Sequence, residues 1–252
     1  MKKKILKFLK EKSHIIIPGA IFVIIVGFLV GAYFFTNRGP VIEKSFDEVL
    51  GDFSEAVKEF YIDYDKLALN PNNHPRPDEL LNKIREEEAK LSDDDPENDR
   101  TAYELIAFNS RTLGDEEGAI RGYRASLSIQ PNNTIILNNL ATSYQDLKEY
   151  KKAEAAFKKL IEFSPGTVYA YRKLADIYLI PAVGKKDRVV PTIEAGLASV
   201  PESGDLLSYL AVYYQEERNY TKAIEYFERL LKVNPGNQAA KEELAKLKLL
   251  VN

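Results

Sequence analysis

The sequence predicts an all-α chain, with an N-terminal transmembrane helix followed by an α-solenoid of repeated helix pairs. Three observations carry that prediction. Residues 15–35 read IIIPGAIFVIIVGFLVGAYFF, with no charged side chain. Prolines that follow a helical pattern fall at Pro131, Pro165, Pro201 and Pro235, at spacings of 34, 36 and 34. An alanine keeps nearly the same period at Ala107, Ala141, Ala175, Ala211 and Ala245. Independent series agreeing on one period mark a tandem array.

The first element is the uncharged run. At about 1.5 Å rise per residue it is long enough for the roughly 30 Å hydrocarbon core of a bilayer. Residues 1–14 form a basic tail with Lys2, Lys3, Lys4, Lys7, Lys10 and Lys12 against Glu11, whereas only Arg38 and Lys44 follow the run closely. The positive-inside rule then places the N-terminus in the cytoplasm and the remaining body outside it, periplasmic or at the cell surface. Pro18 and Gly19 predict a kink or a late helix start. A cleaved signal peptide ending at Val30-Gly31-Ala32 is the competing reading. The apolar run exceeds the about 7–15 residues of such a segment and continues through Phe35, which favours an uncleaved anchor. Residues 36–44 read as a short linker.

The next stretch, 45–99, is expected to be a degenerate helix pair capping the array. Phe46, Leu50, Phe53, Val57, Phe60 and Tyr61 have helical spacing from Ser45 to Leu69, with Ser45 as a candidate cap. NPNNHPRP (70–77) is a loop, a charged helix follows from Asp78 to Leu91, and Asp93 to Pro96 close it.

Beyond this point the array is regular. Tyr144, Tyr178 and Tyr214 follow their alanines by three residues, and Ala119, Ala153 and Ala223 precede Tyr123, Phe157 and Phe227 by four. Small side chains at fixed places let two helices approach closely, while Leu140, Tyr144, Phe157 and Leu160 fill the space towards the next pair. Each proline ends a second helix, since its ring cannot continue the hydrogen-bond ladder. One pair cannot bury its apolar face alone, so several must stack.

These positions resemble the tetratricopeptide repeat. Leu137, Leu140, Ala141, Tyr144, Ala153, Phe157 and Pro165 match its pattern, as do Leu207, Leu210, Ala211, Tyr214, Ala223, Phe227 and Pro235. Four repeats are placed within 100–237, at 100–133, 134–167, 168–203 and 204–237, and residues 238–252 supply a capping helix. The third repeat departs from the pattern. It is longer, PAVGKKD (181–187) replaces the tight turn, and Val189 and Ile193 stand where alanine and an aromatic are expected. Pro191 is expected to interrupt its second helix, and its turn to protrude. An anchor joined to such repeats is similar in layout to bacterial cell-envelope scaffolds, among them the ancillary subunit of the Sec translocon.

Composition excludes much chemistry. The chain has no cysteine, and His14 and His74 are its two histidines, so thiolate metal sites and a serine–histidine–aspartate triad are ruled out. No phosphate-binding glycine loop or other catalytic motif is present, so no catalytic residue, cofactor or bound metal is expected. Glu86-Glu87-Glu88 and Asp93-Asp94-Asp95 lack calcium-loop spacing. The whole chain carries −3, but removing the basic residues up to Arg38 and Glu11 leaves −9 from Gly39 onward. Such a body is unsuited to nucleic acid. Asn132 and Asn219 open glycosylation-type triplets at repeat turns, where asparagine is expected for structural reasons.

The expected function is therefore protein binding. The resemblance implies that the first helix of each pair lines a concave groove for a peptide or partner protein. Mapped here, that face comprises Asn138, Asn139, Thr142 and Gln145, then Tyr169, Arg172, Lys173 and Asp176, then Ser208, Tyr209, Val212 and Gln215. Asparagine and tyrosine suit such a groove by hydrogen bonding and by rigid contact area. The family's carboxylate clamp is not intact, because Glu104 and Phe108 occupy the first repeat. Lys185, Lys186 and Arg188 form, with Arg172 and Lys173, a candidate basic patch for an acidic partner or lipid headgroup. The chain is thus expected to be a membrane-tethered scaffold with its lipid contact through 15–35. The alternative is a structural subunit of a membrane or cell-envelope complex, self-associating as a homo-oligomer.

Overall fold

The computed structural model describes residues 46–251, apart from residues 71, 93 and 94. Its elements, in order, are α1 (Phe46–Leu50), α2 (Tyr64–Ala68), α3 (Pro77–Glu88), α4 (Pro96–Leu113) and α5 (Glu116–Ile129). They continue with α6 (Thr134–Asp146), α7 (Tyr150–Phe163), α8 (Val168–Leu179) and α9 (Val189–Ser199). The last are α10 (Gly204–Glu216), α11 (Tyr220–Val233) and α12 (Gln238–Val251). There is no strand among the described residues.

From α4 onward the chain is a stack of antiparallel pairs. Each pair packs within itself, and its second helix packs on the first helix of the next. The size series explains the spacing: Ala107, Ala119, Ala141, Ala153, Ala175, Ala211 and Ala223 are wholly buried at the crossings. Tyr123, Tyr144, Phe157 and Tyr178 fill the gaps between pairs. One apolar cluster runs unbroken from Ala107 to Leu247. The starts of α2, α4, α5, α6, α10 and α11 are capped by short polar side chains, which satisfy amides that have no partner inside the helix. Asp95 accepts from Glu97 N–H at 3.0 Å, Asp115 from Gly118 N–H at 3.0 Å, and Asn219 from Lys222 N–H at 3.2 Å. Asn133 accepts from the Ile135 and Ile136 amides and donates to Glu104 Oε1 at 3.0 Å, so one side chain caps α6 and ties it to α4.

Several expectations need correction. Among the described residues no helix is long and apolar enough to cross a membrane. The expected single-pass topology, with a cytoplasmic N-terminus and an extracytoplasmic body, is therefore not carried forward. Residues 1–45, including the tail, the run 15–35 and the linker, lie outside the described residues.

The stretch 45–99 is not a helix pair. Gly51, at φ +76°, stops α1, and Asp52 then starts a short 3-10 turn, Phe53–Glu55, by accepting from Ser54 N–H at 2.8 Å. A left-handed backbone suits glycine, which has no Cβ to clash. The segment divides in two. Helix α1 lies against α7 and the Phe53 turn against α5, so this part runs over the second helices as a strap. Residues from Phe60 onward form a separate cluster with α4, in which Leu67 and Ile84 are fully buried beside Ile106 and Leu113. Asp95 caps α4 rather than closing α3, and α4 begins at Pro96.

In the third repeat Pro191 does not interrupt α9. It sits in the first turn, where its missing N–H would have had no helical partner. Val189 and Ile193 are both fully buried.

Candidate partner-binding site

The expected groove face lies on the first helices of the pairs, α6, α8 and α10. Between α8 and α10 it deepens into a cleft of about 430 Å³. Five of the expected residues meet there: Arg172 and Asp176 from α8, and Ser208, Tyr209 and Val212 from α10. Leu179, Asp205, Tyr213 and Glu216 complete the lining. Three of these extend the same helical series by a turn: Leu179 lies three residues beyond Asp176, and Asp205 and Glu216 lie four residues to either side of Tyr209 and Val212. The signal was present and needed only a longer window.

Tyr209 fixes the cleft. Its hydroxyl donates to Asp176 Oδ1 at 2.9 Å, linking the two repeats. Burial first, and then this bond to a carboxylate, push the phenol far above its ordinary range, so it stays a neutral donor. Arg172 Nη1 lies 3.6 Å from Asp205 Oδ2. Three carboxylates and one guanidinium thus line the cleft, around an apolar floor of Leu179 and Val212, and Val212 is 43% exposed.

The other expected residues stand apart from this cleft. Tyr169 packs edge-on to Phe157 at 6.4 Å, with the Lys173 ammonium 5.5 Å from its ring centroid. Gln215 donates to Glu243 Oε2 of α12 at 3.0 Å. Asn138, Asn139, Thr142 and Gln145 lie on α6. Thr142 bonds back to the Asn138 carbonyl at 2.8 Å, and Asn138 Oδ1 and Gln145 Oε1 are buried with no hydrogen-bond partner. The clamp position Glu104 is engaged internally, accepting from Ser126 Oγ at 2.9 Å.

The expected basic patch of Lys185, Lys186 and Arg188 is not a free cationic surface. Lys185 Nζ lies 2.6 Å from Glu154, a carboxylate only 5% exposed that also accepts from Tyr178 OH at 2.9 Å. Lys186 Nζ lies 2.6 Å from Glu217. The turn is held down rather than protruding: it forms two 3-10 turns, Pro181–Val183 and Lys186–Arg188, and Val183 packs on the core. Both ion pairs span about one repeat, a reach that inspection of one helix face does not reveal.

Among the described residues no group of three or more His, Asp or Glu side chains could hold a metal ion. Glu87 pairs with Lys90 at 2.7 Å, and Glu88 accepts from Tyr64 OH at 2.5 Å. His74 is a loop residue whose Nδ1 accepts from Arg76 N–H at 3.2 Å.

Stacked antiparallel helix pairs define an α-solenoid scaffold. The solenoid is of one particular kind: the chain carries tetratricopeptide repeats. The model of that family matches residues 135–167 and 204–237. The chain is 32% identical over 71 residues to the ycf37 protein of Pyropia yezoensis, covering 28% of this chain and 40% of that one. It is 26% identical over 135 residues to the BBSome complex member BBS4 of Bos taurus, covering 54% and 25%. The matched region therefore spans less than half the length of these relatives. Among solved structures, the C-terminal part of a TPR repeat-containing protein from Cytophaga hutchinsonii superposes with a TM-score of 0.53 at 22% identity, covering 64% of this chain and 65% of that one. Tetratricopeptide-repeat proteins mediate protein–protein interactions, and the scaffold described here has the fold of that class.

Proposed function

We propose that the chain is a protein-binding scaffold whose groove takes a peptide or partner helix at the α8–α10 cleft. The observation that carries this reading is the cleft itself. Tyr209 is held rigidly by Asp176 beside the exposed, apolar Val212, and a preset aromatic contact loses little freedom on binding. With Asp176, Asp205 and Glu216 against Arg172, the lining carries an excess of negative charge. It suits a segment that presents an apolar side chain next to a cationic one.

The test is site-specific photo-crosslinking in an extract of the source cells. A benzophenone amino acid is placed at Val212 and, as a control, at the exposed Lys232 of the outer helix α11. Capture of one discrete protein from Val212 alone, abolished by Asp176→Lys, is the expected result. Equal capture from both positions would remove the groove from consideration.

A further inference from the structure

A second cleft, of about 390 Å³, lies at the edge of the stack where the turns within repeats are gathered. It exists because the third repeat is irregular. One side is the tight turn of repeat two and the start of α7; the other is the long turn of repeat three. Tyr150 and Val183 form an apolar floor and both pack on the main core. The far wall is fixed at both ends, with Lys185 on Glu154 and Lys186 on Glu217, each at 2.6 Å.

The rim is cationic. Lys148, Lys151, Lys152 and Lys185 line it, against Glu149 and Glu154. Both acids are already engaged: Glu154 holds Lys185 and also Lys158 at 3.0 Å, and Glu149 holds Lys152 at 2.5 Å. Lys148 and Lys151 are exposed and make no ion pair among the described residues. A body that carries −9 from Gly39 onward thus keeps one apolar recess under uncompensated positive charge. Its volume falls in the range of sites that enclose a small ligand or a few side chains.

We infer that this cleft is a second docking site, for an acidic segment of a partner protein whose carboxylates flank an apolar or aromatic side chain. The ring enters between Tyr150 and Val183, and the carboxylates meet Lys148 and Lys151. This site and the α8–α10 cleft are opposite in sign, so the scaffold can hold two segments of opposite charge without competition. The inference does not depend on the groove being occupied.

The chain contains no tryptophan, so a single tryptophan in a synthetic peptide is a clean reporter. The full chain is titrated into a twelve-residue peptide of Asp and Glu around a central Trp. Two control peptides are used, one with Lys for every acid and one with the Trp moved to an end behind a glycine spacer. Saturable binding with a blue-shifted emission is expected, weakening about tenfold between 50 and 300 mM salt as screening increases. Lys148→Asn with Lys151→Glu should weaken it at least about tenfold. Asparagine accepts the left-handed φ of +61° at Lys148, and a glutamate at Lys151 suits the first turn of α7, so the double variant should fold, as circular dichroism would verify. Arg172→Glu in the groove should leave the affinity unchanged. The inference is overturned by absence of saturable binding, by equal binding of the lysine peptide, or by an unchanged affinity in the double variant. Equal binding of the displaced-Trp peptide would overturn the apolar part of it. Loss of binding in Arg172→Glu would move the peptide to the groove.

Discussion

Repeats two and four are close copies of one another, and the third differs from both at two linked places. The first is in the core. Where repeat two sets Leu137 near Leu160, and repeat four sets Leu207 near Leu230, the third has Tyr171 and Gly196 in the same registers. A Cβ at Gly196 would lie 2.9 Å from the Tyr171 ring and 2.8 Å from Leu206 Cδ1. The two leucines are thus replaced by one large and one minimal side chain, the ring lying where a Cβ at Gly196 would stand. The tyrosine hydroxyl, reaching beyond what a leucine fills, donates to the Pro165 carbonyl at 3.0 Å. The second difference is the long turn. The extra residues that would splay the pair apart are instead folded back by Lys185 onto Glu154. A repeat array therefore tolerates an irregular member when a large side chain on one helix meets a minimal one on the other and its extra chain is tied to a neighbour.

The largest effect should come from restoring the consensus at only one of the two core positions. Gly196→Leu inserts a side chain where even a methyl group has no room, and should destabilise by about 3 kcal/mol. Tyr171→Leu alone leaves a void and an unanswered Pro165 carbonyl, for about 2 kcal/mol. The double variant should lose clearly less than the sum, by roughly 1–3 kcal/mol in urea unfolding. Strict additivity would mean the two residues do not compensate.

Next in size is the Glu154 pair. Burial alone would raise this carboxyl, but the hydrogen bonds from Lys185, Lys158 and Tyr178 outweigh it and hold it below its ordinary 4.5. A depressed folded pKa contributes stability that is full above 4.5 and disappears as pH falls through the lower folded value. Glu154→Gln should therefore cost about 2 kcal/mol near neutrality and progressively less below about pH 4.5. A difference that is constant across that range would refute the charge-based account.

The smallest effects concern the turns. Lys148 and Arg218 occupy the same left-handed position in repeats two and four, at φ +61° and +58°, whereas the third repeat has Gly184 at φ +66° in its longer turn. Lys148→Gly or Arg218→Gly should stabilise by roughly 0.5–1 kcal/mol, and Gly184→Ala should destabilise by about 1 kcal/mol. Thermal melts of the three variants should show these opposite signs.

The repeats were legible because alanine, aromatic and proline series recur within one period, and a period needs no tertiary knowledge. The Tyr171–Gly196 exchange was hidden because the compensation joins two helices and breaks both series at once. Lys185 read as part of an open basic patch because its partner, Glu154, lies in the preceding repeat. Helical faces placed Tyr209 and Val212 with Arg172, and these line one cleft, whereas Asn138 and Gln145 lie outside it on α6. The strap was misread because Leu50 and Phe53 keep amphipathic spacing, and that spacing cannot reveal that Gly51 turns the chain between them.

That strap alters how the stack comes apart. A solenoid held only by neighbour contacts can fray from either end, one pair after another. Here Leu50 and Phe53 cross from the second pair to the first, closing a loop over the whole of the first repeat, and such distant contacts form late in folding. The first two pairs should therefore exchange their amide protons as one cooperative block, while α11 and α12, with no equivalent brace among the described residues, should open independently in hydrogen-exchange measurements. Among the described residues the stack is latched on one side and unbraced on the other.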